Sequence, residues 1–249
     1  MTAIFISKGY DRSFGIDIIV GMFPIDFYLG SKLGLWLAEN ASFHPMDNFI
    51  TKDHEILEVL RSRNLIRTEN SFAKRAFSVH WQEKIESECI SQYEYFLNIH
   101  PGYLPFGRGT YPIFWAVYLN QKAGVTVHQI TEKIDSGPIL SREEVFFEDF
   151  ENSGQVWRRV FNKEKEILLE SILILRNQDN LNLKEITNEK IGINRKKSEF
   201  QKLLSNPNLG QLSENEITRL ILAVTHDEYD LPVWLKNMRV TKISTKSHF

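Results

Sequence analysis

Asn98-Ile99-His100-Pro101-Gly102-Tyr103-Leu104-Pro105-Phe106-Gly107-Arg108-Gly109 is the stretch whose reading decides the fold of this chain. It follows the apolar run Tyr95-Phe96-Leu97, an order that predicts a buried strand ending at its carboxyl edge in a Pro/Gly turn. Ligands of open α/β sheets bind at that edge. A second run, Gly124-Val125-Thr126-Val127-His128-Gln129-Ile130, alternates as a strand does and delivers Asp135 into the polar loop Ile134-Asp135-Ser136-Gly137-Pro138. A carboxamide, an imidazole and a carboxylate are therefore expected to converge.

These three groups suit acyl transfer to an amine. Attack on a carbonyl builds negative charge on its oxygen, and the Asn98 amide N–H and a protonated His100 are both able to donate to it. The amine must also lose a proton, which His100 can accept, or Asp135 directly or through water; the carboxylate can equally fix the imidazole tautomer. The single cysteine, Cys89, lies outside the motif and no serine sits in a nucleophile-elbow pattern, so direct transfer is the simpler reading. Taken singly, an Asn and a His at a strand end, or an Asp before Ser-Gly-Pro, also read as ordinary turn formers.

As one ordered string, the segments Asn98 to Gly109 and Gly124 to Leu140 resemble the N10-formyltetrahydrofolate-dependent formyltransferases. The strong part of the resemblance spans residues 77 to 176. It implies a Rossmann-like α/β core with a small C-terminal helical and β-hairpin extension, divided near residue 180. It also implies N10-formyltetrahydrofolate as cosubstrate, and Asn98, His100 and Asp135 as the catalytic residues. The variant details around Arg108-Gly109-Thr110-Tyr111-Pro112, Arg195-Lys196-Lys197 and Thr225-His226-Asp227-Glu228-Tyr229 look most like enzymes acting on nucleotide sugars. The implied acceptor is dTDP-4-amino-4,6-dideoxyglucose, a precursor of O-antigen or other surface polysaccharide. A 3-amino sugar nucleotide, methionyl-tRNA, or a non-catalytic protein that only binds nucleotide sugar stand as alternatives.

Other candidate contacts follow from side-chain chemistry. Arg108 offers a planar fork for diphosphate, and Tyr103 and Tyr111 offer rings for sugar or base. Arg195, Lys196 and Lys197 are able to neutralise phosphate, while Thr225, His226 and Tyr229 sit at a helix end suited to nucleotide contacts; a solvated helix face and a satisfied cap are the plain readings of these two groups. His80 and Trp81, with Asp135, are expected to line the folate cleft. His128, alternating with Val127, reads as structural support near the site.

Composition agrees with one main domain plus a smaller extension: 249 residues, 42% hydrophobic and 25% charged, with net charge −2. That charge argues against a dominant nucleic-acid footprint. No Cys/His metal spacing or glycine-rich phosphate loop is present, so no metal is expected. The N-terminus Met1 to Lys8 lacks a basic segment followed by a long apolar core, and no stretch is long and apolar enough to span a bilayer; cytoplasmic residence is expected.

The first seventy residues depart from the family's usual strand-turn-helix opening. Ala3 to Ser7 and Ile16 to Phe23 read as strands, Lys32 to Ala41 and Glu55 to Arg63 as helices. Further along, Phe77 to Trp81 reads as a strand, Glu83 to Cys89 as helix-like, Tyr111 to Leu119 as a helix starting near Pro112, and Trp157 to Leu175 as the clearest helix. Ser213 and Glu216 form a capping box for a helix Glu214 to Val224. Pro232 to Ile243 suggests a hairpin, which the resemblance makes a homodimer contact; from the residues alone, Trp234, Val233 and Val240 read as exposed apolar positions that by themselves argue only weakly for pairing.

Overall fold

The structure, a computed structural model, describes residues 16–17, 21–66, 71–186, 193–205, 207–226, 231–232 and 234–236. Its centre is a six-stranded sheet. The strands are β2 (Ile25–Leu29), β4 (Asn48–Thr51), β5 (Arg75–Val79), β6 (Tyr95–His100), β7 (Ala123–Gln129) and β8 (Ile139–Val145), in the spatial order β4-β2-β5-β6-β7-β8. Two short strands, β1 (Ile16–Asp17) and β3 (Ala41–Ser42), pair separately.

The first four strands of the large sheet run parallel, whereas β7 runs against β6 and β8 against β7. Chain order reverses between β2, which passes on to β4, and β5, which lies on the other side of β2. The carboxyl ends of β2 and β5 therefore flank a switch point, where open α/β sheets leave a crevice.

The helices are α1 (Ser31–Asn40), α2 (His54–Ser62), α3 (Ser87–Ile90), α4 (Pro112–Leu119), α5 (Ser153–Asn177), α6 (Lys197–Ser205) and α7 (Glu214–Val224). Burial follows the strand and helix periods. Ile25, Phe27 and Leu29 of β2 pack with Leu33 and Leu37 of α1, and Val156, Val160, Ile167, Leu168, Ile172 and Leu175 of α5 join the same core. Leu220, Ala223, Val224 and Leu235 from the C-terminal part belong to that cluster as well. Asn152 and Ser213 cap α5 and α7 through reciprocal capping boxes with Gln155 and Glu216.

One charged pair lies inside this packing. Arg176, near the end of α5, donates to both carboxylate oxygens of Asp47 at 2.9 and 2.7 Å, and both side chains are fully buried. Asp47 also accepts from the backbone N–H groups of Ile25 and His44, so its remaining lone pairs are satisfied.

Several expectations need correction. Between Glu83 and Cys89 the helix is confined to Ser87–Ile90, because residues 81–86 form turn and irregular structure around Trp81. Met22 and Phe23 lie outside β1, and the expected first strand Ala3 to Ser7 falls outside the described residues, as do positions 18–20. Trp234–Lys236 form a helical turn, with Leu235 and Lys236 both donating to the Pro232 carbonyl, where a hairpin strand was expected. Trp234 is half-buried rather than exposed, and Val233 and residues 237–249 fall outside the described set. Strands β2, β4 and β8 were not anticipated.

Candidate active site

β6 carries Asn98 and His100 to the carboxyl edge of the parallel part of the sheet, and β7, running the other way, sets His128 directly beside Asn98 in the ladder. The loop after β7 then returns Asp135, at φ 48°, to the same place. Asn98 Nδ2 donates to His128 Nε2 at 3.2 Å. Asp135 faces two rings at once: Oδ2 lies 3.7 Å from His100 Nδ1 and Oδ1 lies 3.6 Å from His128 Nε2. The three expected residues are thus brought together, with His128 completing a four-membered cluster.

The hydrogen bonds fix ring roles. His100 Nε2 donates to the Gly107 carbonyl at 2.9 Å, which leaves Nδ1, on the Asp135 side, as the basic nitrogen of the neutral ring. His128 Nδ1 donates to the Gln129 carbonyl at 3.0 Å, leaving Nε2 to accept from Asn98. The second Asn98 amide proton stays available to a substrate oxygen. Gly102 packs on the His100 ring so tightly that a Cβ would meet Nε2 at 2.7 Å, which holds the imidazole in place.

Burial by itself would raise the Asp135 carboxyl. With the two imidazoles protonated, charge on His100, hydrogen bonding and charge on His128, and the Gly109 N–H at 2.9 Å outweigh it and hold the group well below the usual carboxylate range. Asp135 is therefore ionised at neutral pH, able to stabilise an imidazolium at His100.

The remaining candidates divide. Arg108 is buried, and its Nη2 donates to the Ile134 carbonyl at 2.6 Å, while its Nε has no partner. Tyr111 is exposed and stacks on Phe200 of α6 with ring centroids 3.9 Å apart. Tyr103 lies under the cations of Arg142 and Lys122, beside β7 and β8. Arg195 covers the Trp115 ring and pairs with Glu199, Lys196 receives the Glu199 carboxylate on its backbone N–H, and Lys197 opens α6 in solvent. At the far end, Thr225 bonds back to Ile221 and accepts from Ser153 and Gly154, and His226 meets Trp157 edge to face. Tyr229 lies outside the described residues.

His80 and Trp81 follow β5 at the switch point. Trp81 meets Tyr28 edge to face; a cleft of 290 Å³ opens beside His80 between α1, the start of α2 and α5, and one of 220 Å³ beside Trp81 between the β2–α1 turn and residues 52–53. Neither is lined by Asn98, His100 or Asp135; the convergence of chemistry, rather than the larger volume, marks the candidate site.

His80 itself is more tightly engaged than the sequence suggested. Nε2 pairs with the fully buried Glu164 of α5 at 2.6 Å and Nδ1 meets Ser31 Oγ at 3.2 Å. A charged residue at the Val160-Glu164-Leu168 spacing, inside an apolar stripe, was the available signal for this partner. Burial opposes charge on His80, but Glu164 outweighs it and raises the ring above its usual 6.5. A raised folded-state value means that this pair's contribution to stability is complete below the unfolded value and is lost as pH rises through the folded one. Urea melts of wild type and His80→Gln should differ most at about pH 6 and converge as pH rises; a gap that widens with pH would refute the pairing.

Among the described residues there is no cluster of three or more metal-type ligands and no helix long and apolar enough to cross a membrane.

Comparisons with known proteins bear on the family and the fold. Residues 60–172 match the formyl transferase family, and the resemblance read from the motif is borne out there. A dTDP-4-amino-4,6-dideoxyglucose formyltransferase of Mycobacterium tuberculosis is 35% identical over 99 residues, 36% of this chain and 42% of the relative. A methionyl-tRNA formyltransferase of Flavobacterium johnsoniae is 35% identical over 81 residues, 32% of this chain and 26% of the relative. The matched stretches thus span well under half the length of these relatives. The fold is that of the solved sugar N-formyltransferases. A 4-N formyltransferase from Francisella tularensis superposes with a TM-score of 0.69 at 19% identity, over 85% of this chain and 92% of that one. An N-formyltransferase from Helicobacter canadensis, solved with folinic acid and dTDP-3-aminofucose, gives 0.61 at 17% identity over 85% and 84%.

Proposed function

We propose that this chain transfers a formyl group from N10-formyltetrahydrofolate to the amine of a dTDP-linked amino-dideoxy sugar, with dTDP-4-amino-4,6-dideoxyglucose as the favoured acceptor. The observation that carries the reading is the Asn98-His128-Asp135-His100 cluster at the sheet edge, in a segment that matches the family, in a chain that is similar over 99 residues to a relative of that specificity. In the reaction, the amine nitrogen attacks the formyl carbon, the bond from that carbon to N10 breaks, and the proton lost by the amine is returned to N10. No covalent enzyme intermediate is required.

The chain's own residues have separate tasks. Asn98 Nδ2, oriented by His128, donates to the oxygen that becomes negative. His100 Nδ1 takes the amine proton, and the ionised Asp135 stabilises the ring that results. The switch-point clefts beside His80 and Trp81 offer the crevice for folate, and Tyr111 with Arg195 to Lys197 offers surface to the nucleotide, whereas His226 packs on Trp157, which lines the larger of those clefts. Synthesis of surface polysaccharide, a cytoplasmic location and a homodimer belong to the same proposal.

The test is incubation of purified protein with N10-formyltetrahydrofolate and each of dTDP-4-amino-4,6-dideoxyglucose, a dTDP-3-amino sugar and methionyl-tRNA. Tetrahydrofolate release is followed optically and product formation by mass. Formylation of the 4-amino sugar at a kcat/KM at least about tenfold above the others is expected. The match to a methionyl-tRNA formyltransferase makes salt-sensitive tRNA turnover the outcome that would replace this reading. Absence of turnover with all three would reduce the chain to a binding protein.

A further inference from the structure

We propose that the main-chain bridge between residues 108–110 and residues 194–196 is a positioning device for Asp135. By it, the C-terminal segment sets the geometry of the reacting carboxylate in addition to offering surface to the acceptor. The inference rests on the function proposed above and concerns how its proton-handling residue is held.

Asp135 is gripped by one loop at two points. Gly109 N donates to Oδ2 at 2.9 Å, and Arg108 Nη2 donates to the carbonyl of Ile134, the residue immediately before it, at 2.6 Å. Gly109 sits at φ 87°, in the left-handed region that glycine enters freely, so this residue's own backbone preference does not fix the direction of its N–H. His100 and Thr126 hold the earlier part of the loop, at Gly107, Leu104 and Gly102, and the C-terminal segment meets it at residues 108–110. Arg195 N donates to the Arg108 carbonyl at 2.9 Å and Thr110 N donates to the Arg195 carbonyl at 3.0 Å, a parallel bridge with Gly109 at its centre. The Thr110 hydroxyl adds a third bond to the same carbonyl at 3.2 Å.

The bridge is close enough to exclude a side chain: a Cβ on Gly109 would collide with the Arg195 carbonyl and with Asn194 Oδ1. Further contacts anchor residues 194–196 in turn. The Arg195 guanidinium lies 4.6 Å from the Trp115 ring and 3.1 Å from Glu199, Glu199 accepts from Lys196 N at 3.2 Å, and Phe200 stacks on Tyr111. Together these fix the plane of the Gly109 peptide, and hence the direction in which its N–H meets the carboxylate. A ligand engaging Tyr111 or the Arg195 to Lys197 run presses on the same bridge, so acceptor binding and Asp135 alignment share one element.

The experiment removes a backbone donor without touching the cluster. Arg195→Pro lacks the N–H that holds Arg108, and should lower kcat by about 10- to 100-fold while the KM for the formyl donor stays within about threefold. Arg195→Ala keeps that donor and should act mainly on the acceptor KM. A double-mutant cycle with Asp135→Asn separates positioning from general damage: if the bridge acts through Asp135, Arg195→Pro costs little further kcat in the Asp135→Asn background. Multiplicative losses would overturn the proposal.

An activity-independent arm uses 15N-glycine labelling. The Gly109 amide proton, shifted downfield by the carboxylate, should move upfield in Asp135→Asn and likewise in Arg195→Pro; an unmoved resonance in Arg195→Pro would overturn the proposal. Should Arg195→Pro fail to melt cooperatively, Thr110→Val, which removes the hydroxyl bond to the Arg195 carbonyl and keeps Gly109 as the labelled reporter, replaces it in every arm with smaller effects of the same sign. Wild-type protein that formylates no amine but shows both amide shifts would sink the proposed function and leave the positioning role standing.

Discussion

His100→Asn is expected to lower turnover by about two to four orders of magnitude, with a much smaller change in acceptor KM. The geometry explains the size of the loss. His100 Nε2 is committed to the Gly107 carbonyl and Gly102 packs against the ring, so Nδ1 is presented to one location, 3.7 Å from the Asp135 carboxylate. An asparagine fills part of the space but accepts no proton near neutrality, and Asp135, held well below its normal range, is too weak a base to replace the imidazole. Single-turnover measurements at saturating cosubstrate isolate this step. Near-normal rates would remove His100 from the mechanism and shift the proton to another acceptor.

Asn98→Ala should lower kcat by about two to three orders of magnitude, the loss that accompanies removal of a single donor to a developing oxyanion. Its amide is oriented by His128, itself fixed through Nδ1 to the Gln129 carbonyl, so the donor is preorganised before substrate arrives. The alanine variant also leaves His128 Nε2 facing Asp135 without the intervening amide contact. A rise in KM alone, with kcat intact, would make Asn98 a residue that places the cosubstrate and would assign the oxyanion to other donors.

The site was more legible in the sequence than the sheet that bears it. Asn98 and His100 were placed by an apolar run broken by Pro101 and Gly102, and Asp135 by a strand followed by a Ser-Gly-Pro loop, patterns that report backbone geometry directly. α1, α2, α4, α5 and α7 likewise followed from apolar spacing and cap residues.

What escaped has identifiable causes. β2 carries Asp26 as its second residue, and an acid there reads against a buried strand unless partners for it are known; the hydroxyls of Ser71 and Tyr93 supply them from distant positions. β4 is a four-residue edge strand with only half-buried positions, and β8 interposes Arg142, Glu143 and Glu144 between its apolar ends. The Glu83 to Cys89 helix was over-read from helix-compatible residues that carry no apolar stripe to bury. His80 was recognised as a strand-end residue, but its Glu164 partner lies 84 positions away, beyond any local pattern.

The reversal of direction between β6 and β7 carries a practical consequence for altering this protein. Asn98 faces His128, and His100 faces Thr126, across one ladder of backbone pairing, so the reacting groups are spaced by strand register. A slip of one residue would turn every side chain of the moved strand to the opposite face. Insertions of a single residue within 95–100 or 123–129 should therefore extinguish the centre outright, however conservative their chemistry. Diversity introduced at an exposed side chain such as Lys197, with Gly109 and Tyr111 kept, should instead change which acceptor is bound while Asp135 keeps its alignment.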